Sequence, residues 1–396
     1  MANKWQIAGA ITASLMIGIT PVYARDAHQE GHERCFQYQA TIVGTEGDDM
    51  LVGTPAQDVI VGLGGDDTIR GLEGDDRLCG GDGIDLVMGD DGADFVKGGS
   101  GGDVVRGGPG NDRIMGNDGD DLLLGGSGND LMRGSSETIV ASPNVLERDA
   151  LFGGDDDDFL MDGSGIDRLD GGSDTDSIGY GSSASLIDLT QGIAVSESDA
   201  VDHLFSIENV YANIRKLGRP WQPRGGDPVI VGDDNDNILI GSNDGDHIYG
   251  RGGNDFIDGY CGTDPTLDGG EGDRDVLAFG CVFGVTADLE LSTATSLNNG
   301  YVETFSGFEG LVGGFAGDTL SGDDGPNLLL GLDDNDLLLG LDGDDVIGGG
   351  EGFDTVDAGE GNDVCLWVED WLGCEMFAET RSTVWPFAET FPTGYN

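Results

Sequence analysis

Basic residues are scarce in this chain of 396 residues: 18 Lys and Arg stand against 76 Asp and Glu, for a formal net charge of −58. The only lysines are Lys4, Lys97 and Lys216. A field of that sign repels nucleic acid and anionic membrane surfaces, and leaves cations as the natural partners. Histidine is almost as rare, limited to His28, His32, His203 and His247. These form no HExxH, because "HQEGH" at 28–32 has the wrong order, so a zinc protease centre is not indicated. No CxxC occurs, which argues against a zinc knuckle. No lysine closes a glycine-rich loop, as a phosphate cradle would require. Beyond the first two dozen residues there is no long apolar run, so no membrane span is expected.

The first 24 residues read as a secretory signal peptide. Lys4 supplies the basic end, an apolar stretch runs from Ile7 to Ile19, and Val22-Tyr23-Ala24 offers a small-x-small cleavage site. An exported chain is consistent with six cysteines, an even number. Sequence proximity favours pairing Cys365 with Cys374 and Cys261 with Cys281, which leaves Cys35 with Cys79; a set of free thiols is the alternative.

What is abundant is glycine, with 73 residues, and it recurs in phase with the acids. Residues 62–79 read "GLGGDDTIRGLEGDDRLC", the same phrase twice at a spacing of nine. Counting in nines from Gly44, glycine falls at 44, 53, 62 and on to 125. Asp falls at Asp49, Asp58, Asp67, Asp76, Asp85, Asp94, Asp103, Asp112, Asp121 and Asp130. Two residues after each Asp stands an aliphatic, such as Leu51, Ile60, Ile69, Leu78 and Val87, with Met132 in the last unit. The phase breaks at 134–152 and resumes at Gly153 with Asp158, Asp167 and Asp176. It returns at 232–258 with Asn237, Asp246 and Asp255, and again at 313–366 with Asp318, Asn327, Asp336, Asp345, Asp354 and Asp363. A merely solvated acidic face has no reason to keep such a count.

Units of the form G-G-x-G-x-D-x-U-x resemble the hemolysin-type calcium-binding (RTX) repeat proteins. The resemblance covers about half the chain in clean units. It implies an all-β parallel β-roll, in which two nonapeptides make one coil and calcium sits in the turns, each ion between turns of successive coils. Many Gram-negative members carry an uncleaved C-terminal export signal and no N-terminal one. Residues 1–24 depart from that pattern, so a general secretory route is expected here.

The residues support the same reading. Thr68-Ile69-Arg70 is a minimal strand whose middle residue points inward. The six residues before it must reverse the chain, and glycine permits the positive φ and close approach such a turn needs. One unit cannot bury its apolar face alone, so the units must stack. Stacked at about 4.8 Å, the aligned carboxylates repel unless a cation lies among them. Calcium accepts six to eight oxygens at about 2.3–2.6 Å in irregular geometry, whereas magnesium demands a stricter octahedron. Multiple Ca2+ ions are therefore the expected cofactor, with the twenty in-phase Asp residues above as ligands and folding coupled to binding.

The organisation expected is a signal peptide (1–24), a lead segment (25–43), a first repeat block (44–179) and a metal-poor connector (180–231). A second, partly degenerate block (232–279), another connector (280–312), a third block (313–366) and a C-terminal cap or tail (367–396) follow. The connectors share a phrase, "FSIENVYANI" at 205–214 and "FSGFEGLVGG" at 305–314, and are expected to continue the solenoid as longer coils. The one basic patch, "RKLGRPWQPRGG" at 215–226, carries Trp221 and is a candidate contact for an acidic glycan. No catalytic constellation emerges. Ser100 in "GGSGG" satisfies G-x-S-x-G only as the third residue of a repeat, with no histidine near it. Paired acids such as Asp66-Asp67 occur in many equivalent copies, where a glycosidase needs one distinct pair. The function expected is that of a secreted, non-catalytic calcium-binding repeat protein with an adhesion, matrix or surface role. The alternatives are a carbohydrate-binding module or the remnant of a toxin or secreted enzyme.

Overall fold

A computed structural model describes residues 34–377 apart from 136–147, 162–164, 181–183, 197–199, 213–227, 243–244, 261–263, 281–282, 368–369 and 375. The leader, His28 and His32, Trp221, the Cys261–Cys281 pairing and the end of the tail lie outside these residues.

A strand of three to six residues ends each nonapeptide, and successive strands fall alternately into two parallel sheets. In one, Thr68 pairs with Leu86, Leu86 with Val104, Val104 with Leu122 and Leu122 with Ala150. In the other, Arg77 pairs with Phe95, Phe95 with Arg113, Arg113 with Leu131 and Leu131 with Phe159. Partners are 18 residues apart until the ten-residue insertion after Gly134, across which both ladders continue. The roll is therefore unbroken at 134–152.

The aliphatic eighth positions meet between the sheets. Ile69, Leu78, Val87, Val96, Val105, Leu123 and Met132 are all fully buried and belong to one core that runs the length of the roll. Their neighbours at positions seven and nine face outward, since side chains alternate along a strand. That outer face holds several of the few arginines: the Arg77 guanidinium lies 4.0 Å from the Tyr38 ring centroid and 5.1 Å from that of Phe95.

The connectors hold antiparallel strands, which the expectation of longer coils did not specify. In one sheet each inserts an antiparallel meander: Ala184–Asp188, Ile193–Ser196 and Val201–Phe205, and then Val285–Asp288, Thr293–Ser296 and Val302–Ser306. The last strand of each meander pairs with the block before it and the first with the block after it, so the meander splices two parallel stacks. The opposite sheet passes straight through, with Ser177, Asn209 and Ile238 in one register and Val276, Gly310 and Leu328 in another. The shared phrase in the two connectors encodes this repeated splice.

Disulfides join Cys35 to Cys79 and Cys365 to Cys374, each with Cα atoms 5.8 Å apart. The first ties an N-terminal hairpin, Arg34–Cys35 with Tyr38–Gln39, to the roll.

Candidate metal centre

The sixth residue of each nonapeptide leaves the turn and enters the strand, so stacking places these residues in two rows, one at each edge of the roll. The first row runs through Asp49, Asp67, Asp85, Asp103, Asp121, Asp149, Asp167 and Asp202. In each step the main-chain N–H of one donates to Oδ1 of the next, at 2.8 or 2.9 Å. The second row runs in the same way through Asp58, Asp76, Asp94, Asp112, Asp130, Asp158 and Asp176, and ends on Glu208 Oε2, at 2.7–2.9 Å. Shorter rows repeat the pattern in the later blocks: Asn237, Asp255, Asp275 and Glu309; Asp246 and Asp264; Asp318, Asp336 and Asp354; Asn327, Asp345 and Asp363.

All twenty residues expected from the sequence thus stand in a row, and all are buried except Asp49, which is half-buried. Six members escaped the sequence reading. Asp149 was hidden because the ten-residue insertion shifts its phase. Asp202, Asp264, Asp275, Glu208 and Glu309 lie in connectors or in the degenerate stretch. For Glu208 and Glu309 the available signal was the shared "FSIEN" and "FSGFEG" phrase, which puts a Glu three residues after Phe205 and four after Phe305.

One carboxylate oxygen of each Asp is used on the neighbouring coil. The other, Oδ2, is turned inward against the first glycine of its own unit. An ideal Cβ at Gly62 would lie 2.2 Å from Asp67 Oδ2 and 2.4 Å from the Gly80 carbonyl oxygen, so Gly62 has no room for a side chain; in the last unit Ala358 holds the same position before Asp363. In Asp67, Asp76, Asp85, Asp94, Asp103, Asp112, Asp130, Asp158 and Asp176 this buried Oδ2 accepts no hydrogen bond, and the same holds for Asp255, Asp336, Asp345 and Asp363. An unsatisfied buried carboxylate oxygen is costly, and repeating it along a row compounds the cost.

Electrostatics point the same way. Burial pushes Asp94 up to about 7, with Asp112 and Asp76 adding repulsion and the Asp76 N–H opposing it. Burial likewise raises Asp130 to about 8, Asp255 to about 8 and Asp336 to about 7. Asp67, Asp76, Asp103, Asp112 and Asp158 rise to about 6 for the same first reason. At neutral pH the acids raised to about 7 or 8, Asp94, Asp130, Asp255 and Asp336, are fully charged only with a cation beside them.

Among the described residues, no three His, Cys, Asp or Glu side chains converge as a metal cage. Oxygen donors beyond the carboxylates must come from the main chain, and the turns offer them. In the regular turns the carbonyls of positions two and four point along the stack: an ideal Cβ at Gly81 would sit 2.0 Å from Leu63 O, and one at Gly83 2.1 Å from Gly65 O. Glycine there, at φ +132° and +139°, lets the coils approach closely enough to bring carbonyls and carboxylates together. A set of hard oxygens without nitrogen or sulfur suits Ca2+ and not zinc.

The sequence profile of the RTX calcium-binding nonapeptide repeat matches residues 43–78, 52–87, 79–114, 106–136, 152–184, 231–264, 312–347 and 340–366. Together these spans take in more than half of the chain. No curated protein matches it.

Proposed function

This chain belongs to the RTX calcium-binding nonapeptide repeat family, and we propose on that premise that it is an exported, non-catalytic protein whose roll is completed by calcium at its two carboxylate rows. The observation that carries this reading is the inward Oδ2 of thirteen sixth-position acids, from Asp67 to Asp363, buried and without a hydrogen-bond donor. Asp67, Asp76, Asp85, Asp94, Asp103, Asp112, Asp130, Asp158, Asp176, Asp255, Asp336, Asp345 and Asp363 would hold the ions, with turn carbonyls completing the shell. The cation supplies positive charge and coordination where the protein has neither a base nor an N–H to offer. Binding free energy then becomes folding free energy. Extracellular calcium modules bind at about 10⁻⁴–10⁻³ M, which would leave the chain open in a cell interior and closed outside it.

Export is supported by the Val22-Tyr23-Ala24 cleavage pattern and by the Cys35–Cys79 and Cys365–Cys374 bonds, which persist in oxidising surroundings. A non-catalytic role is supported by the equivalence of the acids, none of which is set apart as a reacting pair. A surface or matrix role suits a long, rigid, acidic rod. The test is a calcium titration followed by far-UV circular dichroism and calorimetry. Expected are a calcium-dependent rise in β signal and several ions per chain. A β spectrum in EDTA identical to that in calcium would overturn the reading.

A further inference from the structure

The turns are not all alike. Among the described residues, the inward oxygen of the sixth residue is closed in six turns by the main-chain N–H of the second residue of the same turn. Thr45 donates to Asp49 at 2.5 Å, Thr54 to Asp58 at 2.6 Å, Asp233 to Asn237 at 2.8 Å, Gly314 to Asp318 at 2.7 Å and Asp323 to Asn327 at 2.8 Å; Ser242 donates to Asp246 in the same way. None of these second residues has a positive φ.

In the open turns the second residue has crossed into the left-handed region, as at Leu63 (φ 85°), Leu72 (φ 93°), Arg251 (φ 83°), Leu332 (φ 81°) and Leu341 (φ 79°), and the Oδ2 it would have capped is left without a donor. A non-glycine residue in that region costs on the order of 1 kcal/mol, so the open form is held against local preference.

The closed turns are placed systematically. They are the two turns of the first coil in each of the three blocks, at 44–61, 232–249 and 313–330. Two of them carry Asn where the rows otherwise carry acids. The amides of Asn237 and Asn327 donate through Nδ2 to the main-chain carbonyls of Glu208 and Glu309, at 2.8 and 3.3 Å, so an N–H stands where a carboxylate would need a cation. In the first block the peptides are also turned. The ideal Cβ positions of Gly65 and Gly74, above the closed coil, meet peptide carbon and nitrogen of Gly47-Asp48 and Ala56-Gln57; those of Gly83 and Gly92, one coil on, meet the carbonyl oxygens of Gly65 and Gly74.

We infer that the first coil of each block is a metal-independent starter coil, and that calcium binds only between open turns. The rod therefore carries three separate calcium ladders, a long one in the first block and short ones in the second and third. This rests on the calcium reading above and removes Asp49, Asp58, Asp246 and Asp318 from the twenty ligands that the sequence led one to expect. Ladders divided by metal-free coils load independently, so the short ladders, with fewest neighbouring coils to stack on, need the most calcium.

The experiment compares isosteric variants of the full chain by calorimetry with calcium chloride. D49N/D58N is expected to bind as many ions as the wild type, with a midpoint within about twofold. D94N/D112N, both in open turns of the row that Asp58 begins, is expected to lose ions and to raise the midpoint about tenfold or more. A second pair keeps the test clear of any folding defect at the N-terminal coil: D318N, which also gives up one of the two N–H bonds from Val285 and Gly314 and so lowers stability, is expected to keep the wild-type number of ions, and D336N, one coil further along the same row, to lose ions. Loss of ions in D49N/D58N or in D318N would overturn the inference while leaving the calcium reading intact. A wild type that binds no calcium would overturn both.

Discussion

Replacing Gly89 by alanine isolates the contact on which the metal rows depend. Gly89 opens an open turn, and its φ lies outside the left-handed region, so a methyl group there adds no backbone strain. The added Cβ would stand 2.2 Å from Asp94 Oδ2, 2.9 Å from its Cγ and 2.7 Å from the Gly107 carbonyl oxygen. The carbonyl is main chain, fixed by the neighbouring coil, so the Asp94 carboxylate must move, by about 1 Å to reach ordinary contact. That movement breaks the 2.8 Å bond from the Asp76 N–H to Asp94 Oδ1 and leaves a buried donor unpaired. The loss is about 1–3 kcal/mol for that donor, with about 1–3 kcal/mol more for overpacking. It also takes Asp94 out of its row, so calcium affinity falls together with stability. Gly47→Ala is the control: nothing lies within 4 Å of its Cβ, and its φ is not positive. The control should be neutral or gain about 0.4–1 kcal/mol from a less mobile unfolded chain. Urea unfolding in saturating calcium, with the calcium midpoint measured in parallel, checks both. Equal unfolding midpoints for G89A and G47A would refute the packing argument.

Two further outcomes follow from the same geometry. Cys35→Ser with Cys79→Ser opens a closure of 44 residues, for which chain entropy gives about 4 kcal/mol, whereas Cys365→Ser with Cys374→Ser opens one of 9 residues, giving about 2.6 kcal/mol; hydrogen exchange should show the first variant fraying at the N-terminal coils, and unchanged protection there would count against the tie. In EDTA, acid should restore structure. The row carboxylates have folded values raised by burial, to about 7 for Asp94 and about 8 for Asp130, so the folded chain binds more protons than the unfolded one. The stability they contribute is complete below about pH 4 and is lost as pH rises through 6–8. Circular dichroism in EDTA should show β signal growing from pH 8 to pH 5, and a signal that falls on acidification would contradict the burial of the rows.

The architecture was legible because each repeat position has one physical job, and a period of nine keeps those jobs aligned. Ile69 and Leu78 could be placed inside from spacing, and Asp67 and Asp76 at opposite edges from the two-nonapeptide coil that the family resemblance implied. Asp149 was not legible, because an insertion between a glycine and its acid is invisible to a count, although the ladder simply loops over it. The splices were not legible either, since Ile193–Ser196 and Thr293–Ser296 have the composition of any short strand and reveal their antiparallel sense only by their partners. Nor was the difference between open and closed turns. It depends on the φ of the second residue, and the residues found there only lean one way: Thr45, Thr54, Ser242, Asp233 and Asp323 close, while Leu63, Leu72, Leu332 and Leu341 stay open. Gly314 closes and Asp90 stays open, against the lean, so the neighbouring coil decides in those cases.

The need for connectors follows from the rows themselves. In a row, each acid accepts the N–H of the coil before it and offers its own N–H to the coil after it. Such a chain of bonds has two unsatisfied ends wherever it stops: a donor at the last coil and a side chain without a partner at the first. Glu208 resolves both at once. Its Oε2 accepts the N–H of Asp176, the last acid of the second row, at 2.8 Å, and its main-chain carbonyl accepts the amide of Asn237, the first member of the next row, at 2.8 Å. Glu309 does the same between Asp275 and Asn327, at 2.9 and 3.3 Å. An amide is needed because a carboxylate facing a carbonyl would require a cation. Glu and Asn together therefore end one ladder and begin the next without metal, and the rod can be lengthened by blocks without any one row growing longer.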